Sequence, residues 1–137
     1  MEKIARRILC VGTYPDLVHT RSLIFAQAGH SVKQAHTKDE AERVLAREAF
    51  DVVVLEHCIR MKERHALAAF VKQTSPQTQI LVLHASGSGP GSHADAALDS
   101  RSGPAAILEA VQSLFLPAAK KASQGVSKTQ ARAGTAA

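Results

Sequence analysis

The sequence predicts an α/β fold in which a parallel sheet is covered by helices on both faces. Short apolar runs at residues 8–11, 52–55 and 80–83 have the length and composition of buried strands. Between them lie longer segments in which apolar residues recur every three or four positions, as on one face of a helix. Strands that alternate with helices form parallel sheets joined by right-handed crossovers.

Length and charge limit the chain to one domain with a tail. At 137 residues and 45% hydrophobic, it suits a single globular core over residues 1–116 and a basic tail over residues 117–137. After Pro117 there are four cations and no acid, which leaves 13 basic and 12 acidic residues before it. We therefore expect no specific nucleic-acid partner. No run is long enough for a signal peptide or a membrane span, so we expect a cytoplasmic protein without a membrane partner.

The first half of the chain predicts two strands and two helices. The strand at residues 8–11 ends at Gly12, and Pro15 suits the first position of the next helix, which ends before Gly29. Residues 31–36 alternate weakly, as in an exposed edge strand. The second helix begins with a Thr-x-x-Glu capping box at residues 37–40. The predicted inward positions of the two helices are Leu17, Val18, Ile24, Phe25 and Ala28, then Ala41, Val44, Leu45 and Ala49.

The second half completes five strands. After the central strand, a helix carrying Leu67, Phe70, Val71 and Thr74 is expected to stop near Pro76. Residues 85–92 are rich in Gly, Ser and Pro and predict a flexible loop, residues 94–98 a short last strand, and Pro104 the start of the last helix. Residues beyond 116 have a composition typical of disorder. The whole pattern predicts a doubly wound, flavodoxin-like five-stranded sheet.

Several short segments also recur in the order and spacing of one known family. They are residues 8–11 followed by Pro15, residues 29–32, 51–56 and 80–85, and finally Ala94-Asp95 with Pro104 and residues 108–111. Over about residues 6–116 the chain resembles a response-regulator receiver domain of two-component signalling. The resemblance implies a phosphorelay-type function and a protein partner.

The same resemblance implies that the residues used for phosphorylation are replaced. A working receiver carries two acidic residues after its first strand to bind magnesium, and here those positions are Gly12 and Thr13. Its phosphorylated Asp corresponds to Glu56, its Thr or Ser to His84, and its Lys to Ser100. The chain therefore resembles a degenerate receiver, or pseudo-receiver. The aromatic switch position of the family falls near Ala97, and the fourth helix is shortened or missing.

Chemistry gives a reason to expect an inert site. Phosphoryl transfer to a carboxylate needs a divalent cation held by other carboxylates, and Gly12 and Thr13 supply none. The extra methylene of Glu56 moves the nucleophile, and a displacement of roughly 1 Å can cost about 10²-fold in rate. Asp51 cannot substitute, because five strand residues of about 3.3 Å each separate it from that end of the sheet.

Glu56 has two interpretations. As a mimic of the phosphorylated state, it carries a permanent negative charge further from the backbone than Asp does. As a relic, it pairs with His84 across the strand ends, and Glu56→Gln costs roughly 1 kcal/mol or less. We prefer the relic, because His84 and Ala97 lack the groups that relay such a charge.

Other site types are less well supported by the spacing. Glu56, His57, Cys58 and His84 have the side chains of a zinc site but not its spacing. Cys10 and Cys58 are expected to be free thiols. A small-molecule or nucleotide pocket at Gly12, Thr13, Glu56 and His84 is a further alternative, although the glycine-rich loop lacks the Gly-Lys-Ser/Thr of a phosphate-binding loop.

We therefore expect a receiver-like protein-interaction module of bacterial signalling type, without enzymatic activity, cofactor or metal. A second copy of the chain is a candidate partner. The alternative is a conventional phosphorelay receiver with atypical site residues.

Overall fold

The computed structural model describes residues 5–85 and 93–115 of the chain. These described residues contain nine elements, which alternate between strand and helix except that β5 follows β4 directly. They are β1 (Arg7–Val11), α1 (Pro15–Gln27), β2 (Ser31–Ala35), α2 (Lys38–Arg47), β3 (Val52–Leu55), α3 (Met61–Thr74), β4 (Gln79–His84), β5 (Ala96–Asp99) and α4 (Pro104–Ser113).

All five strands form one parallel sheet in the order β2-β1-β3-β4-β5. The predicted doubly wound, flavodoxin-like architecture is thereby confirmed. β2 is an edge strand, as its weak alternation indicates, and β3 is central with all four residues buried. From β1 the chain first moves outward to the edge strand β2. It then crosses back over β1 to β3, so the direction in which successive strands are added reverses between β1 and β3.

Side chains alternate between two separate cores, because successive strand residues point to opposite faces of a sheet. One core lies between the sheet and helices α2 and α3, and it contains Leu9, Val11, Val53, Leu55, Ile80 and Val82. The other lies between the sheet and helices α1 and α4, and it contains Ile8, Cys10, Val52, Val54, Leu81 and Leu83. We call these the α2/α3 face and the α1/α4 face.

The predicted helix starts are found in the structure. Pro15 is the first residue of α1. At the start of α2, the Thr37 hydroxyl accepts a hydrogen bond from the Glu40 backbone N–H at 3.0 Å. The Glu40 carboxylate reaches back one residue further than a capping box requires and accepts from the His36 N–H at 2.8 Å.

Of the predicted inward positions, two are exposed and three in α1 are only half-buried. Ala49 lies beyond the end of α2 and is exposed, and Thr74 is exposed at the last turn of α3. In α1, Leu17, Ile24 and Ala28 are only half-buried, whereas the polar residues Arg21 and Ser22 are buried with Val18 and Phe25. The buried face of α1 cannot be predicted from its apolar residues alone, because this face also contains the cation of Arg21.

The connection from β4 to β5 carries the remaining differences. β5 begins two residues later than expected, at Ala96. The described residues include four helices, and residues 85 and 93–95 are not helical. The predicted flexible loop falls mostly on residues 86–92 and the predicted disordered tail on residues 117–137, and both lie outside the described residues. No helix between residues 5–85 or 93–115 is long and apolar enough to cross a membrane.

Candidate functional site

Glu56 directly follows the central strand and is completely buried, with 0% of its surface exposed. It was expected on an accessible rim. It continues the alternation of Val52 and Val54, which places it on the α1/α4 face. A fully buried carboxylate requires a countercharge or a proton, since isolated ions are very costly to remove from water.

Arg21 of α1 supplies that countercharge. Its Nε donates to Oε2 of Glu56 at 2.8 Å, and the arginine side chain is only 8% exposed. Its Nη2 donates to the carbonyl oxygen of Ser100 at 2.6 Å, just after β5. One guanidinium therefore joins the first helix, the end of the central strand and the connection between β5 and α4.

Burial raises the pKa of Glu56 above its ordinary value, and the charge and hydrogen bond of Arg21 lower it by less. The second carboxylate oxygen, Oε1, is buried without a hydrogen-bond partner. Arginine thus compensates only part of the cost of burying this group. The nearby thiol of Cys10 is also buried, and burial raises its pKa to about 12, so it is the inert free thiol that was expected.

Gly12 is pressed against Glu56 and α1, with no room for a side chain. A Cβ atom built on Gly12 lies 2.7 Å from Cγ2 of Val18 and 3.1 Å from both Cβ and Cγ of Glu56. The contact with Val18 is shorter than real Cβ atoms show, so a carboxylate at this position forces α1 or Glu56 to move. Any side chain at position 12 therefore requires Val18 or Glu56 to shift.

Thr13 lies on the opposite side of β1 from Glu56. Its backbone N–H donates to Sγ of Cys58 at 3.2 Å, and its hydroxyl donates to the Cys58 carbonyl oxygen at 3.4 Å. These contacts tie the loop after β1 to the loop after β3. The two positions that correspond to the acidic pair of a receiver therefore face different sides of the sheet.

His84 is not the partner of Glu56, which corrects the expectation from the sequence. Leu55 is in register with Val82, so Glu56 lies level with Leu83, whose side chain is on the α1/α4 face. His84 follows Leu83 and points to the other face. Its Nδ1 lies 3.3 Å from the carbonyl oxygen of Ala85. Because side chains alternate along β4, His84 and Glu56 lie on opposite faces of the sheet and do not pair.

Ser100 joins the site through its backbone. Its carbonyl oxygen accepts from Arg21, and its N–H donates to the carbonyl oxygen of His84 at 2.8 Å. Its side chain does not replace the cation of a receiver; the cation comes instead from helix α1. Asp51 lies at the other end of β3, as expected, where its Oδ2 accepts from the Arg7 N–H at 2.8 Å.

The structure brings no zinc site together in its described part. Among residues 5–85 and 93–115, no group of three or more His, Cys, Asp or Glu side chains is placed to hold a metal ion. The carboxylate of Glu56 is turned to Arg21, whereas Cys58 accepts from Thr13. Glu56 and Cys58, two of the four side chains considered for zinc, therefore serve separate local contacts.

Arg21 is the functional residue that the sequence interpretation missed. It lies three residues after Val18 and four before Phe25, both of which are fully buried. This spacing puts a cation in the middle of the apolar stripe of α1. A cation at such a position requires a buried anion, and Glu56 is the acid that follows the most buried strand.

Comparisons with known proteins agree with this fold. No model of a protein family matches the chain, and no curated protein matches it. Several solved structures of response regulators match the chain. The chemotaxis response regulator CheY4 of Vibrio cholerae matches with a TM-score of 0.72 at 19% identity, over 82% of this chain and 100% of that one. A putative response regulator from Chloroflexus aurantiacus matches with a TM-score of 0.73 at 19% identity, over 81% and 98%.

A third neighbour was solved with a phosphoryl analogue. The response regulator TrrA of Thermotoga maritima, in complex with magnesium and beryllofluoride, matches with a TM-score of 0.69 at 18% identity, over 80% of this chain and 99% of that one. At these identities the likeness concerns the fold. The chain has the receiver-domain fold of two-component response regulators.

The first prediction concerns Glu56→Gln. The amide keeps the shape of Glu56, but its oxygen is a weaker acceptor for the Arg21 guanidinium and its NH2 group takes the buried position of Oε1, so the free energy of unfolding should fall by about 1 to 3 kcal/mol. This replaces the smaller cost expected for an exposed pair with His84. Chemical denaturation measures it, with Glu109→Gln on the exposed side of α4 as the matched control. Equal stability of the two variants would show that Glu56 needs no ionic partner.

The second prediction is a pH dependence. Because burial raises the pKa of folded Glu56 above the value of 4.5 for the unfolded chain, the folded state keeps a proton that the unfolded state releases. Stability from this group should therefore be present at low pH and be lost as the pH rises from 4.5 through the folded pKa. The difference in unfolding free energy between wild type and Glu56→Gln should shrink over that window, and a growing difference would contradict the direction of the shift.

Proposed function

We propose that this chain is a receiver-like protein-interaction module of a two-component-type signalling pathway that acts without phosphorylation. One observation supports this most strongly. The residue at the phosphoacceptor position, Glu56, is fully buried and bound to Arg21, while Gly12 is packed against it. The receiver fold provides the framework of such a module, and the site holds an internal ion pair in place of an accessible nucleophile.

Phosphoryl transfer makes three demands that this geometry opposes. The attacking oxygen must be reachable in line with the leaving group, a divalent cation must bridge it to the phosphoryl oxygens, and water must be replaced by fixed donors. Glu56 exposes no surface, and neither Gly12 nor Thr13 offers a carboxylate to the cation. The oxygen of Glu56 that Arg21 does not bind, Oε1, is buried, so a phosphoryl donor reaches it only if the site opens.

The same pair argues against a phospho-mimic. A mimic acts by presenting negative charge to groups that respond to it. The charge of Glu56 is enclosed and neutralised at 2.8 Å by Arg21, and His84 points to the other face of the sheet. We infer that Glu56 is a structural residue, and that partners recognise the outside of the domain whatever the state of this site.

The proposal extends to the setting of the protein. We propose that the partner is a signalling protein, with a second copy of the chain as a candidate, and that the chain is cytoplasmic and has no enzymatic activity of its own. The nearly balanced charge of residues 1–116 supports a protein partner over a specific nucleic acid.

The third prediction tests this function with magnesium and beryllofluoride. Because the carboxylate is enclosed and no acidic pair is present, the amide resonances of Gly12, Glu56 and Ala85 should not move when magnesium and beryllofluoride are added. Roughly millimolar concentrations suffice, since even ligands with a binding free energy of only about −4 kcal/mol bind there. TrrA of Thermotoga maritima, solved with this analogue, is the positive control.

A second readout on the same sample is incubation with acetyl phosphate and magnesium, followed by intact-mass measurement. We expect no addition of a phosphoryl group. Saturable shifts at all three amides together with a phosphorylated species that Glu56→Gln abolishes would overturn the proposal and favour a conventional phosphorelay receiver.

A further inference from the structure

A cleft opens on the α2/α3 face of the sheet, on the opposite side of β1 from Glu56. Its volume is about 140 Å³. Val11 and Ile59 are among its apolar lining residues, and Thr13, His36 and Lys38 are among its polar ones. These residues come from the ends of β1 and β2, the start of α2 and the loop after β3.

The topology explains why a cleft forms here. The sheet order places β1 between β2 and β3, and the chain reverses its direction across the sheet at this point. The loops after two neighbouring strands run in opposite directions here, so a crevice forms between them outside the carboxyl ends of the strands. Open α/β sheets bind ligands in such crevices. The α1/α4 side of this edge is filled by Glu56 and Arg21, whereas the α2/α3 side remains open.

We propose that this cleft binds a small aliphatic monocarboxylate, with Lys38 as its charge partner. The ammonium of Lys38 is 2.9 Å from the Glu42 carboxylate and its side chain is 29% exposed. An ammonium has three donors, so it can hold Glu42 and a ligand oxygen together. Val11 is 1% exposed and Ile59 6%, which provides an apolar base for the hydrocarbon part of the ligand.

His36 and two threonines complete the polar lining. Nδ1 of His36 lies 3.3 Å from the carbonyl oxygen of Gly12, which fixes the orientation of the ring. Thr13 and Thr37 are exposed residues of the lining. The Thr13 hydroxyl donates to the Cys58 carbonyl oxygen, whereas the Thr37 hydroxyl only accepts from Glu40 and can donate to a carboxylate. The ligand thus meets an apolar surface at one end and hydrogen-bond donors at the other.

The charge and the helix caps favour a monoanion over phosphate. Phosphate sites commonly use free backbone N–H groups at a helix start. Here the Glu40 N–H donates to the Thr37 hydroxyl and the His36 N–H donates to the Glu40 carboxylate. These two N–H groups therefore already have acceptors within the protein. Glu63 also lines the cleft and adds a negative charge that opposes a dianion. This site is independent of the proposed function, because none of its lining residues belongs to the Glu56–Arg21 pair.

The experiment is an amide NMR titration of the full chain with isovalerate. Isovaleramide, which has the same shape without the charge, and inorganic phosphate are titrated in parallel. Lys38→Met removes the ammonium and keeps most of the aliphatic stem. Lys62→Met is the matched control, because Lys62 is an exposed lysine near the start of α3 that does not line the cleft.

We expect saturable shifts of Thr13, His36, Lys38 and Ile59 with isovalerate, a dissociation constant that rises about tenfold in Lys38→Met, and no change in Lys62→Met. Isovaleramide and phosphate should bind more weakly than isovalerate. The proposal is overturned by the absence of saturable shifts, by equal affinity in the two lysine variants, or by tighter binding of phosphate or of the amide. An unchanged spectrum of free Lys38→Met establishes that its loss of binding is not unfolding.

Discussion

A carboxylate removed from water needs an opposite charge, and the organisation of one side of this domain follows from that requirement. Glu56 has no exposed surface, so Arg21 must lie in the buried stripe of α1. The guanidinium then holds the connection after β5 through the carbonyl oxygen of Ser100. Gly12 is needed for the helix and the strand end to come this close, since a Cβ atom there meets Val18 at 2.7 Å. A buried pair of this kind is not a strong source of net stability, but loss of either partner is costly.

Because side chains alternate between the two faces of the sheet, the two faces differ at the carboxyl ends of the strands. On the α1/α4 face, the end of β3 is closed by an internal ion pair. On the α2/α3 face, the end of β1 borders a cleft of about 140 Å³ with donors on one side and apolar residues on the other. Thr13 and His84, both expected beside Glu56, belong to the second face because each is one residue out of phase with it. The same parallel sheet thus carries a buried ion pair on one face and an open cleft on the other.

The sequence predicted the fold well because the fold depends on local patterns. The valine run of β3, the Thr37 cap and the prolines at the starts of α1 and α4 each specify their element without reference to the rest of the chain. The candidate site was predicted less well. Gly12 does contact Glu56, and Ser100 is joined to Glu56 through Arg21, but the partnership of Glu56 depends on strand register and on which face of α1 is buried. Those are long-range properties, and the predicted inward face of α1 took account of its apolar residues alone, so Arg21 was left out.

The most direct test of the account is a double-mutant cycle on Arg21 and Glu56, read as the free energy of unfolding. Leucine removes each charge and keeps an apolar side chain at the site. Arg21→Leu and Glu56→Leu should each cost about 3 to 5 kcal/mol, because each leaves the other group buried without its partner. The double variant should be far more stable than the sum of the two losses predicts, with a coupling of about 2 kcal/mol or more. Losses that add to within about 0.5 kcal/mol would show that the two residues act independently, and would contradict the central place given to their pairing.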